Sequence, residues 1–261
     1  MKRTADLPRK SPPVVGFEDR YTAGFVDEAH AHDRTQLSIV LSGSLTVNTD
    51  EASFVLNPGQ GMWIPAGLVH RAICRAESAF QVLYFDPEFS EVDIPCRMFE
   101  VSALLRGLID EIVAMRYEFV MDERMLTIAK LLVGEIERAP RVANRTPFPS
   151  DYRLRRVCEA IITSPGDSRD IDHWAREAGM SRRTFTRVFQ TELGMGFAAW
   201  RRRVRVIEGT ARINAGQSIA EVAFDLGYDN PGSFSTMFRR VFGVPPHALR
   251  SGRAGPLSLD P

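Results

Sequence analysis

The spacing of apolar positions changes along the chain, and each change marks a different kind of element. From residue 14 to 85 apolar residues fall in short runs (36–41, 45–48, 53–56, 62–64 and 80–85) broken by Gly, Pro and Asn, the pattern of an all-β barrel or sandwich. From 101 the spacing becomes helical. Val101, Leu104, Leu105, Leu108, Ile109, Ile112 and Val113 form one stripe, and Leu126, Ala129, Leu132, Val133 and Ile136 form a second. Two such helices either pack onto the β domain or supply a dimer interface in which both copies bury the same patch. Residues 139–150 (APRVANRTPFPS) carry no period and are rich in Pro and polar side chains, so they read as a linker.

Beyond 150 the pattern is helical throughout. A helix over 153–163 is stopped by Ser164-Pro165-Gly166. A helix over 171–178 then meets Gly179-Met180, and Ser181 stands where it would cap a helix over 182–193. Gly supplies the left-handed residue that closes the first helix, and the Ser hydroxyl satisfies free N–H groups opening the next. The same arrangement recurs as a helix over 219–226, a turn at Gly227-Tyr228-Asp229-Asn230, and a helix over 231–241 with Pro231 in its first turn. Between the two copies a helix over 197–214 carries Arg201, Arg202, Arg203 and Arg205, either a solvated face or a phosphate-binding one. Helix, tight turn and second helix is the geometry of a major-groove reader, in which the early residues of the second helix meet base edges.

Charge sharpens this division. The 33 basic and 33 acidic residues balance overall, but residues 1–150 hold 16 Lys/Arg against 21 Asp/Glu, whereas 151–250 hold 16, all Arg, against 11. A net +5 half suits a polyanion, since Arg that neutralises phosphates releases counterions. The length of 261 residues and 44% apolar content are enough for two ordinary cores. Three scattered cysteines, Cys74, Cys96 and Cys158, form no CxxC pair, which indicates neither a disulfide framework nor a zinc knuckle and fits a reducing cytoplasm. Charged residues near Met1 precede no apolar run, and no stretch approaches a membrane span. The expectation is a cytoplasmic protein with no membrane partner.

From Asp170 to Arg250 the chain resembles the AraC/XylS transcription regulators. The resemblance rests on Ala175, Gly179-Met180-Ser181, Phe185, Phe189, Leu193-Gly194, Arg205, Ile219-Ala220, Val222-Ala223, Leu226-Gly227-Tyr228, Phe234, Phe238-Arg239, Phe242-Gly243-Val244 and Pro246. It implies sequence-specific binding of double-stranded operator DNA. By position the first reader's base contacts then fall on Arg183, Thr186 and Arg187, and the second's on Pro231, Gly232, Ser233 and Thr236; Arg182, at the start of the first reading helix, and Arg239 on the second complete the expected DNA-binding set. Arg is the side chain suited to guanine. The small residues opening the second reader suit phosphate contact and shape fit more than base hydrogen bonds.

Two N-terminal segments resemble the cupin motifs. They read Gly24-x5-His30-x-His32-x3-Gln36-x6-Gly43 and Gly59-x5-Pro65-x-Gly67-x2-His70-x3-Cys74, with Gln where Glu is usual and Cys in place of the terminal Asn. Residues i and i+2 of a strand share a face, so His30 and His32 would point together, with His70 and Gln36 completing a set for Zn, Fe, Mn or Ni. A polar small-molecule pocket and a vestigial site are the other readings of these residues.

The sequence therefore predicts an α+β protein. A cupin-like β-barrel sensor spans 1–98, a helical packing or dimerisation segment 99–138, a linker 139–150, an all-α domain with two helix-turn-helix motifs 151–250, and a tail 251–261. The expected function is a transcription regulator controlled by a small molecule or metal, acting as a homodimer, with RNA polymerase as a further partner. The alternative is a metal-dependent cupin enzyme, a dioxygenase or isomerase, although such an enzyme has no need of paired groove-reading helices.

Overall fold

The computed structural model describes residues 12–87, 89, 94–115, 122–142 and 145–250. The tail 251–261 lies outside the described residues, as do Ala143 and Asn144 of the linker. The chain folds as two compact units, one from residues 1–49 and 56–143, the other from 50–55 and 144–261.

Nine strands come first: β1 Val14–Tyr21, β2 Val26–His30, β3 Thr35–Ser42, β4 Leu45–Thr49, β5 Ala52–Leu56, β6 Gln60–Ile64, β7 His70–Ile73, β8 Ser78–Phe85 and β9 Arg97–Glu100. They make two separate sheets rather than the closed barrel expected from the sequence. In the first unit one sheet runs β1-β8-β3-β6-β9, and in the other β2-β7-β4 are neighbours. All the pairings are antiparallel. The first sheet is open because its edge strands β1 and β9 are not paired to each other. β3, β5, β6 and β8 are buried along almost their whole length, as strands covered on both faces are.

Helices cover one face of the first sheet. α1 Ala103–Ala114 is capped by the Ser102 hydroxyl, and α2 Glu123–Arg138 by the Asp122 carboxylate. The stripe residues Leu105, Leu108, Ile109, Ile112, Ala129, Leu132, Val133 and Ile136 are buried with Val14, Leu37, Trp63, Leu83, Phe85 and Phe99 in one core. The stripes are thus used inside the chain. Leu104 and Leu131 remain as exposed apolar positions on the two helices.

The second unit holds β10 Arg145–Pro147, which pairs with β5 in the register Arg145↔Phe54 to Pro147↔Ala52. Six helices follow: α3 Tyr152–Thr163, α4 Ile171–Glu177, α5 Arg182–Leu193, α6 Phe197–Asn214, α7 Ile219–Asp225 and α8 Pro231–Phe242, with a final turn α9 His247–Arg250. Two cores form here. Leu154, Val157, Ile161, Trp174, Ala175, Phe185 and Phe189 share one with Phe197, Trp200 and Val204 of α6. Val222, Leu226, Phe234, Phe238 and Phe242 share the other with Val206, Ile207, Ala211 and Ile213 of the same helix. One 18-residue helix therefore ends in both cores and joins them without a hinge. No described helix is long and apolar enough to cross a membrane.

Candidate functional site

Each helix pair of the second unit is built around a tight turn. α4 ends at Gly179, whose φ of +64° lies where a side chain is strained. The Gly179 N–H donates to the Arg176 carbonyl and the Met180 N–H to that of Ala175. Ser181 then opens α5, its hydroxyl accepting from the Thr184 N–H. Phe185 and Phe189 point into the core with their rings 5.6 Å apart, which turns Arg182, Arg183, Thr186 and Arg187 outward. Those four line a shallow surface depression together with Gln190. Gln190 was not singled out from the sequence, though its spacing of three and four from Arg187 and Thr186 places it on the same face. Arg182 also reaches Asp172 at 3.1 Å, leaving Arg183 and Arg187 as the guanidinium groups of this face with no ion pair between described residues.

The second pair repeats the design. Gly227 has φ +76°, α7 opens on a capping box between Ser218 and Glu221, and α8 opens with Asn230, whose side chain accepts from the Ser233 N–H. Phe234, Met237 and Phe238 are buried, whereas Gly232, Ser233, Thr236 and Arg239 are exposed and Pro231 is half-buried.

The arginines of α6 divide sharply. Arg205 donates to the carbonyls of Pro165 and Asp167 at 2.9 Å each and lies over the Tyr228 ring. Arg201 donates to Arg169 O at 2.7 Å and to Asp167 O, and Arg203 to Arg145 O at 2.9 Å. Arg201 and Arg205 pin the loop between α3 and α4 to the helix, and Arg203 pins β10; Arg202 is the exposed one.

In the first unit the three motif histidines converge. One ring nitrogen from each of His30, His32 and His70 lies within 4.8 Å of the others, with ring centroids 4.6 to 5.9 Å apart. The route differs from the one expected. His30 is the last residue of β2, and His32 lies in the loop before β3, so a shared strand face does not bring them together. His30 is instead paired with His70 across β2 and β7, and β3 carries Gln36, whose Oε1 stands 2.7 Å from His32 Nε2.

Each ring faces a backbone carbonyl through Nδ1, His30 that of Glu28 at 2.8 Å, His32 that of Arg34 at 2.5 Å and His70 that of Leu68 at 2.9 Å. A ring nitrogen against a carbonyl carries the proton, so the lone pair is on Nε2 in His30 and His70, whereas His32 meets an acceptor oxygen at each nitrogen, the Arg34 carbonyl at Nδ1 and Gln36 Oε1 at Nε2. Burial pushes His70 down to about 4 and lowers His32 below its ordinary value. At neutral pH His70 is the uncharged form that metals require. His70 Nε2 is buried without a hydrogen-bond partner, an orphaned lone pair aimed among its neighbours. The donor set therefore fits a divalent cation, with the carbonyls fixing tautomer and ring orientation.

Known proteins fall on the same two regions. Residues 11–92 match the model of an AraC-like ligand binding domain, and residues 174–252 that of a helix-turn-helix domain. The HTH-type transcriptional regulator NimR of Escherichia coli is 26% identical over 89% of this chain and 86% of its own. The arabinose operon regulatory protein of Salmonella typhimurium is 24% identical over 89% of both. The crystal structure of unsaturated fatty acid bound ToxT from Vibrio cholerae aligns over 92% of this chain and 95% of its own, at 11% identity and a TM-score of 0.39.

Proposed function

Because the chain belongs to the AraC family of DNA-binding transcription regulators, we propose that it reads operator DNA through α5 and α8 under the control of a divalent first-row metal held by His30, His32 and His70. The family is one of regulators with an N-terminal ligand-binding domain and not of enzymes, which removes the dioxygenase or isomerase alternative. On this reading Arg183 and Arg187 make the main base contacts, with Arg182, Thr186 and Gln190 beside them. Pro231, Gly232, Ser233, Thr236 and Arg239 fit α8 against backbone and groove.

The observation that carries the ligand assignment is the convergence of three imidazoles, with His70 Nε2 buried and without a hydrogen-bond partner. Gln36, beside His32, is the fourth donor. Zn, Fe, Mn and Ni are all compatible with three imidazoles and an amide oxygen. When bound, the ion would supply ligand bonds that tie β2, the loop after it and β7 to one another. Such a ligand controls transcription only by binding one arrangement of the protein better than another. The protein acts in the cytoplasm as a homodimer, for which Leu104 and Leu131 offer outward apolar positions, and RNA polymerase is the partner that operator binding brings within reach.

Elemental analysis of untagged protein, paired with operator titration, tests this. One equivalent of metal and an operator affinity that shifts with added metal are expected. Both should vanish in the His30→Ala, His32→Ala double variant. Full occupancy in that variant, or an operator affinity indifferent to metal in the wild type, rejects the assignment.

A further inference from the structure

We infer that Asp27 supplies the counter-charge of the three-histidine site, so that the site selects a divalent cation and rejects an anionic effector; this rests on the metal reading above. Asp27 is 3% exposed, and its Oδ1 lies 3.9 Å from His30 Nδ1. In a regular strand residues three apart point to opposite faces, which is why the spacing from Asp27 to His30 carries no signal in the sequence. The register between β2 and β7 supplies the missing step. Asp27 pairs with Ala72 and His30 with His70, so one extra residue is accommodated in β2 between them. A bulge of this kind re-aims side chains. Cross-strand partners share a face, and Ala72 and His70 are two apart on β7. Asp27, His30 and His70 therefore stand on one face.

Asp27 does not act by hydrogen-bonding the ring, because His30 Nδ1 is engaged by the Glu28 carbonyl at 2.8 Å. Nor do its oxygens join the converging ligand atoms. It acts through charge, and its field reaches His70 as well as His30. Three imidazoles and an amide bring no negative charge of their own. A divalent ion placed among them without a nearby anion is an uncompensated charge in a site shielded from water. The other acids near the site are exposed: Asp33 beside His32, and Glu28, which faces Arg71 at 3.8 Å. Solvent and salt screen such groups. Among the described residues the one other buried acid is Glu208, held by Arg212 in the second unit. The same buried carboxylate repels any carboxylate-bearing ligand that enters between the histidines.

Titration of the full-length metal-free protein with Co²⁺, followed by absorbance, measures affinity and ligand field together. The wild type should bind. Asp27→Asn should bind about 10- to 100-fold more weakly with the same band positions at saturation, and Asp27→Glu should recover most of the loss. Unchanged affinity in Asp27→Asn overturns the inference and leaves the histidine site standing. Shifted bands would make Asp27 a direct ligand and likewise overturn it. Failure of the wild type to bind removes the histidine reading and this inference with it. Circular dichroism establishes that each variant is folded, and Asp27→Ser replaces Asp27→Asn if the amide is not tolerated. With no variant at all, millimolar benzoate should not compete with Co²⁺ in the wild type, and competition overturns the inference.

Discussion

Arg205 makes two hydrogen bonds from a charged donor to loop carbonyls, those of Pro165 and Asp167, and its removal takes this donor from both, Asp167 O keeping the one from Arg201. Bonds to charged groups contribute about 1.5–3 kcal/mol, so Arg205→Ala should lower unfolding free energy by about that amount while Arg202→Ala changes it little. Denaturant melts check this, and equal effects would contradict it. Arg183 and Arg187 behave in the opposite sense. Arg183→Ala or Arg187→Ala should cost about 1–3 kcal/mol at the specific operator without destabilising the fold, and Ser233→Ala much less; equal losses in an operator titration would contradict the assignment. The distinction was half legible. The turn at Gly179 and the cap at Ser181 mark Arg183 and Arg187 in the sequence, but the partners of Arg201, Arg203 and Arg205 lie some thirty to sixty positions away, where no local pattern reaches. His70 adds a pH signature. Its ordinary value of 6.5 falls to about 4 on folding because burial disfavours the charged ring. The unfolded chain therefore binds the proton more readily, and stability is full above about 6.5 and is lost as pH falls toward 4. At about 1.4 kcal/mol per unit the effect is roughly 3 kcal/mol. Denaturation of the metal-free protein across this range should show it, and His70→Gln should flatten the curve; parallel curves would reject the attribution.

At the level of elements, α6 decides how the two readers are held. Its first half packs with α4 and α5 and its second half with α7 and α8. Gly209 lies close against the Phe234 ring of α8: a Cβ there would meet that ring at 2.8 Å and Leu226 at 3.2 Å. Gly209→Ala should cost about 1–3 kcal/mol by overpacking, although alanine is the better helix former. A melting temperature raised by this change would contradict the packing account. The helices and their caps were legible because Gly, Ser, Asn and Pro each impose a specific backbone geometry at a specific place. The β elements were less so. β2 carries two exposed residues in a row, Glu28 and Ala29, and its irregular pairing breaks the alternation on which strand reading depends. β10 is three residues long, and its Thr146 is buried where the strand pairs with β5, a partner some ninety positions away in sequence.

Across the whole molecule, chemistry of two kinds is kept in two compact units. The histidines, Gln36 and Asp27 belong to one, and the outward arginines to the other. Charge asymmetry between the halves of the chain announced this division, because like charge concentrated on one unit has an electrostatic use. Sheet closure was not announced, since strands buried on both faces read alike in a barrel and in paired sheets. The central claim is that α5 and α8, joined by α6, enter successive major grooves of one duplex. Hydroxyl-radical footprinting on an operator tests it most directly. Two protected segments about one helical turn apart, roughly 10 base pairs, are predicted, with the pair Arg183→Ala, Arg187→Ala weakening one segment before the other. A single protected segment, or two at a spacing unrelated to the helical repeat, would contradict it.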